Sequence, residues 1–168
     1  EKLIKNISQH ENVEFLNQGL SNKDTSQSLY GDSPGSSKSS IYKRRLDHFN
    51  LKFNYQEEIQ LVKFDHFYKE KLSNQEIDIM KLDVEGHELD VLEGARKTIQ
   101  SIKIIQFEFG GCNIDSKTFF QDFYYFFKDF NFDIYRMRPN GLSKIKNYSE
   151  SDEYFHYSNF LSVNKNLI

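Results

Sequence analysis

Cysteine is nearly missing from this 168-residue chain: Cys112 is the single one, so neither an internal disulfide nor a Cys-based zinc site is available. That excludes a disulfide-rich secreted scaffold and a zinc ribbon, and points to a cytoplasmic setting. No apolar run approaches the roughly 20 residues needed to span a bilayer, and the opening Glu1-Lys2-Leu3-Ile4-Lys5-Asn6 is no signal peptide. Without an export signal, the triplets Asn6-Ile7-Ser8 and Asn147-Tyr148-Ser149 read as chance matches to a glycosylation site. Charge of one sign is also lacking. With 22 Lys plus Arg against 25 Asp plus Glu, the net charge of −3 offers no broad phosphate-neutralising surface and no polybasic arm. Neither a nucleic-acid partner nor a membrane partner is expected. Apolar residues are thin as well: with Gly counted in place of Tyr they make up about 37 %, below the usual 45–50 %. The 16 Phe and 10 Tyr compensate, because each large ring fills much of a core by itself.

The residue pattern predicts one α/β domain over 1–168. Leu3, Ile4 and Ile7 have helical spacing, and Val13-Glu14-Phe15-Leu16 reads as a short strand ending near Gly19-Leu20-Ser21. Residues 31–40 (GDSPGSSKSS) are a flexible loop by composition, flanked by short strands at 28–30 and 40–42. A strand follows over 58–64 and a helix near 65–72. Ile77 to Val84 is a strand feeding a helix whose Leu89, Leu92, Ala95 and Ile99 lie three, three and four apart. Strand 102–109, stopped by Gly110-Gly111, and helix 115–130, capped by Asp115 or Ser116, come next. Phe119, Phe123, Phe126, Phe127 and Phe130 are expected to cover the sheet. Strands at 132–137 and 157–163, joined through Pro139-Asn140-Gly141, close the chain. Strand and helix alternate, so the expected sheet is mostly parallel with an antiparallel C-terminal edge hairpin.

The polar segment Asp83-Val84-Glu85-Gly86-His87-Glu88 falls where a strand ends and a helix begins, the place where open α/β sheets bind ligands. A plain alternative stands beside that reading: acids at a helix N-terminus interact favourably with its dipole and need no ligand. A metal is disfavoured because His87 lacks the second His of a zinc-protease helix and adjacent helical residues do not face one another. Glu108, at the end of the next strand, shares a cleft with Asp83 if the two strands are neighbours. It otherwise pairs with a cation at the sheet end. Lys43-Arg44-Arg45 reads as a solvated face, and Cys112 as a bystander thiol.

Over Ile77 to Ile105 (IDIMKLDVEGHELDVLEGARKTIQSIKII) the chain resembles the FkbM family of S-adenosyl-L-methionine-dependent methyltransferases. The marks are a strand ending in K-[IL]-D-[VI]-E-G, a helix E-L-x-V-L-x-G-A, and a further strand ending in an acid. Gly19-Leu20-Ser21-Asn22 is similar to the family's Ala/Gly-Leu-Ser, and Val62 to Phe67 to its V-x-T-L-D-x-F, with Phe64 where Leu is usual.

The resemblance implies a class I Rossmann-like methyltransferase fold with S-adenosyl-L-methionine as cofactor and a hydroxyl acceptor on a sugar or small natural product. It places Leu20 and Ser21 at the adenine end of the cofactor and Asp83 at its methionine end. Glu85 and His87 then line the acceptor side, and Glu108 closes it. Asp83, Glu85, His87 and Glu108 all remain candidate bases, His87 having the most suitable ordinary pKa, near 6.5. The chain departs from the family in lacking the first strand with its glycine loop and the second strand with its ribose-binding acid. It therefore reads as starting inside the fold, which agrees with a first residue that is Glu rather than Met. The competing function is a non-catalytic binding or scaffold subunit.

Overall fold

The computed structural model describes residues 10–73 and 75–168. The helix expected over the first residues lies outside them. Two sheets form. The smaller has the order β1-β3-β2 and contains β1 (Gly19–Ser21), β2 (Thr25–Gly31) and β3 (Tyr55–Lys63). In it, β1 runs parallel and β2 antiparallel to β3. Helix α1 (Phe64–Lys71) follows directly. The larger sheet has the order β4-β5-β8-β6-β7, with β4 (Ile77–Leu82), β5 (Ile102–Phe109), β6 (Phe132–Arg138), β7 (Gly141–Ile145) and β8 (Ser158–Asn164). Helix α2 (Glu88–Gly94) connects β4 to β5; α3 (Cys112–Ser116) and α4 (Phe120–Asp129) connect β5 to β6.

The expectation of a mostly parallel sheet is corrected: both sheets are mixed. Within the larger one only β4 and β5 run parallel, and β5–β8, β8–β6 and β6–β7 are all antiparallel. The cause is topological. The crossover through α3 and α4 sets β6 one place away from β5, and β8 returns in the opposite direction to fill the slot. Strand β7 was not foreseen, because GLSKI is short and has no clean alternation. It completes a hairpin through Pro139-Asn140-Gly141, whose Gly141 has φ +123°.

Three other expectations change. Val13 to Leu16 forms no strand, and Val13 and Phe15 stay exposed. Ser40 makes one bridge, to Tyr30, in place of a strand over 40–42. The helix expected over 115–130 breaks where Lys117 turns left-handed at φ 59°. It restarts at Phe120, whose backbone N–H donates to the Glu153 carboxylate, as does that of Gln121.

Phenylalanine builds the core. The Phe107 ring lies 5.1, 5.2 and 5.3 Å from those of Phe123, Phe127 and Phe160, centre to centre. Phe109 meets Phe120 edge-on at 5.5 Å. All six rings are fully buried, each contributing about 2 kcal/mol or more of gross stabilisation. Of the five phenylalanines expected on the sheet, Phe119 is exposed and packs edge-on against Phe155 instead.

This core lies on one face of the larger sheet, under α2 and α4. Alternation directs Ile79, Lys81, Gln106, Glu108 and Asn159 to the other face. Ile79 is 64 % exposed there, on a strand that has no neighbour beyond it among the described residues.

Candidate functional site

The polar turn between β4 and α2 is shaped by two consecutive left-handed residues, Glu85 at φ 51° and Gly86 at φ 104°. Glycine is required at 86, since a Cβ there would meet the Cys112 carbonyl oxygen at 3.0 Å as well as adopting a strained φ. A non-glycine residue held left-handed, as Glu85 is, needs its surroundings to impose it. Those surroundings are explicit. The Val84 and Gly86 N–H groups donate to the Glu88 carboxylate at 3.1 and 3.0 Å, and the Ser40 hydroxyl donates to the Glu85 carbonyl at 2.7 Å. Glu88 is completely buried. Burial raises its pKa, and the backbone donors oppose the rise. Its role is to fasten the turn.

The Glu85 side chain is gripped by Arg44. That guanidinium, 5 % exposed, bonds Glu85 at 2.7 Å through Nη1 and Asp115 at 3.1 Å through Nε. Tyr157 adds a hydroxyl bond to Glu85 at 3.5 Å. Burial pushes Glu85 up, and Arg44 counters it. The reading of Lys43-Arg44-Arg45 as a solvated face thus fails at Arg44, whose partners lie 41 and 71 residues away in sequence.

Glu108 lies half-buried on the open face, two residues beyond Gln106, whose amide bonds Asn159 at 3.1 Å. Its carboxyl is pushed up to about 7 by burial first, then by the carboxylates of Asp83, Glu85 and Glu88, with Lys81 opposing. Asp83 is exposed at the end of β4 and paired with Lys81 at 2.7 Å. The structure therefore brings Asp83, Glu85 and Glu108 to the carboxyl ends of adjacent parallel strands. The Glu108 group is poised to exchange a proton near neutral pH.

His87 and Ser21 are brought together elsewhere. His87, 5 % exposed, reaches the Ser21 hydroxyl at 2.9 Å through Nε2, and Nδ1 lies 3.1 Å from Asp90, off the line of a hydrogen bond. Asp90 also accepts from Asn22 at 2.6 Å and Tyr42 at 3.1 Å. His87 first, and later Tyr42, hold Asp90 below its ordinary value against burial. The left-handed turn swings His87 inward, away from the side of the cleft expected for it. Ser21 is 1 % exposed, and Leu20 is half-buried against the core. These two residues meet α2: a Cβ at Gly94 would lie 2.0 Å from the Ser21 carbonyl oxygen. The sequence Ser–His–Asp has the order of a hydrolase relay, but Ser21 is sealed from solvent and works as a clamp between β1 and α2.

Beside the Arg44–Glu85 pair opens a cavity of about 330 Å³, walled by Arg44, His48, Phe49, Ile114, His156 and Tyr157. Aromatic faces with a few polar tips suit a flat or ring-shaped ligand. Cys112 is buried and has its thiol pushed up to about 12, by burial first and then by Glu88. Among the described residues, no three His, Cys, Asp or Glu side chains converge as metal ligands, and no helix is long and apolar enough to cross a membrane.

Arg44, Tyr157, Asp90 and the capping role of Glu88 were all invisible to sequence reasoning. The one available signal was the acidic density of 83–90, which demands buried partners. A family model described as the methyltransferase FkbM domain matches residues 2–134. No curated protein and no solved structure matches the chain.

Proposed function

Since the chain belongs to the FkbM methyltransferase family, we propose that it takes part in S-adenosyl-L-methionine-dependent O-methylation of a hydroxyl on a sugar or small natural product. The observation that carries this reading is Glu108, a carboxyl raised to about 7 beside Asp83 and Glu85 at the carboxyl ends of β4 and β5. The donor set fits the cofactor's cationic end, because clustered carboxylates favour a sulfonium and an ammonium group. Leu20 and Ser21 fit the adenine end poorly, being turned into the core.

When bound, the cofactor supplies a methyl group on an already activated sulfonium. The chain's own task is alignment and proton removal. Asp83, exposed and next to the turn, faces the cationic end. Glu108 accepts the hydroxyl proton of the acceptor, for which a pKa near 7 is well matched. The Arg44–Glu85 pair holds the turn in place, and the aromatic cavity seats the acceptor. His87 supports the turn from beneath and takes no proton from the acceptor. A cytoplasmic location accompanies this reading.

Calorimetric titration with S-adenosylhomocysteine tests it. Saturable heat is expected in the wild-type chain, weakened in Asp83→Asn. With acceptor supplied, Glu108→Gln is expected to slow methyl transfer about 10²–10⁴-fold. Wild-type turnover in both variants refutes the assignment. A second reading, a binding subunit without catalysis, is favoured by the β4 edge, which has no neighbouring strand among the described residues and where Ile79 is 64 % exposed. No heat with the wild-type chain selects it.

A further inference from the structure

The larger sheet carries a second charged feature, of opposite sign, on its β6–β7 hairpin. Arg136 and Arg138 of β6, Ser143 of β7, and Lys146, Asn147 and Asp152 beyond it line a cleft of about 400 Å³. Arg136 stands opposite Ser143 in register, so with Arg138 the three share the face that also carries α4.

Arg136 is half-buried, its guanidinium carbon 5.2 Å from the ring centre of the fully buried Phe160. That stacking places the planar fork itself over the ring, and no hydrogen bond among the described residues holds it there. Nε is buried without a hydrogen-bond partner, and Nη2 forms a loose ion pair with Asp152 at 3.7 Å, beyond hydrogen-bond range. Asp152 already accepts the Ser149 N–H at 3.0 Å. A small turn of the guanidinium toward the cleft therefore breaks no protein hydrogen bond. Arg138 and Lys146 are exposed and form no ion pair among the described residues, while Lys144 is taken by Asp133. Two cations without an ion pair among the described residues, and a third held only by a loose one, thus face one carboxylate, in a chain whose net charge is −3.

A planar guanidinium with free donors, flanked by an ammonium and a second guanidinium, matches a tetrahedral oxyanion. We propose that this cleft is a phosphate site, taking the phosphomonoester of a small molecule. Its place in the sheet gives the scale. Arg136, Phe160, Phe107 and Leu82 lie in one lateral row across four strands, so three strand spacings, about 14 Å, separate Arg136 from the strand that ends at Asp83. A cleft of this size suits a small ester better than a polymer, and the inference does not depend on methyl transfer.

The test is nuclear magnetic resonance of the Arg136 Nε–Hε group in isotope-labelled protein, titrated with glucose phosphate, inorganic phosphate and a short RNA. Glucose phosphate is expected to shift that signal saturably at millimolar concentration. The double variant Arg138→Ala, Lys146→Ala, both at exposed positions, is expected to bind about tenfold more weakly with an unchanged melting temperature. The proposal is overturned if no shift saturates, if inorganic phosphate or RNA binds more tightly than the ester, or if the double variant titrates like the wild type.

Discussion

Replacing Glu108 by Gln should change how the protein's stability depends on pH. Burial and the neighbouring carboxylates raise the Glu108 carboxyl from 4.5 to about 7. The native state then holds an extra proton between those two values, so stability is greatest at the acid end of the window and falls as pH climbs through it. At full value the rise is worth about 3.4 kcal/mol. The carboxyl is half-open to solvent, and screening reduces this to about 1–1.5 kcal/mol. A neutral amide removes the effect. In urea unfolding across this window, the wild type is expected to lose about 1–1.5 kcal/mol more than Glu108→Gln, or about 2–5 °C in melting temperature. The two proteins should differ least at the acid end and most above pH 7. Parallel curves across the whole window would refute the claim that the acids crowd one another.

Three further outcomes are expected. Gly94→Ala, a change that by propensity alone favours a helix by about 1 kcal/mol, should instead destabilise by about 2–3 kcal/mol. The reason is that its new methyl would lie 2.0 Å from the Ser21 carbonyl oxygen; a raised urea midpoint would sink that reading. Arg44→Leu strands Glu85 and Asp115 without their cation and should cost about 3 kcal/mol by chemical denaturation, whereas an exposed arginine would cost almost nothing. Cys112, buried and protonated at neutral pH, should resist a thiol-modifying reagent in the native state and react once urea unfolds the chain. Fast labelling of folded protein would contradict the packing around it.

The stretch from Ile77 to Phe109 was legible in sequence because its signals are local. Alternating apolar residues mark β4 and β5, a three-four spacing marks α2, and polar residues at a strand end mark the turn. Asp83 and Glu108 could be paired in advance because parallel neighbours bring their carboxyl ends together. Arg44 and His87 could not be placed that way. Arg44 is buried by carboxylates far along the chain, and a short basic run gives no hint of them. His87 was assigned to the cleft by its position in the motif, but the left-handed Glu85 and Gly86 rotate it into the core. The strand order was hidden for a similar reason. Nothing local to residues 158–164 says that they slip between β5 and β6, and five residues with a Ser and a Lys do not announce β7.

The ties that hold the polar turn have an unusual reach: Ser40 to Glu85 spans 45 residues, Arg44 to Asp115 spans 71, and His87 to Ser21 spans 66. Contacts so distant along the chain carry a loop-closure cost that local pairing does not, so the acid cluster is expected to complete late in folding. The same economy works in reverse. Detachment of the short segment 40–44 would free Glu85 from its left-handed state without melting the phenylalanine core, a partial opening cheaper than global unfolding. The Val84 and Gly86 amides, bonded to a buried carboxylate, would register that opening in hydrogen exchange before any core strand does.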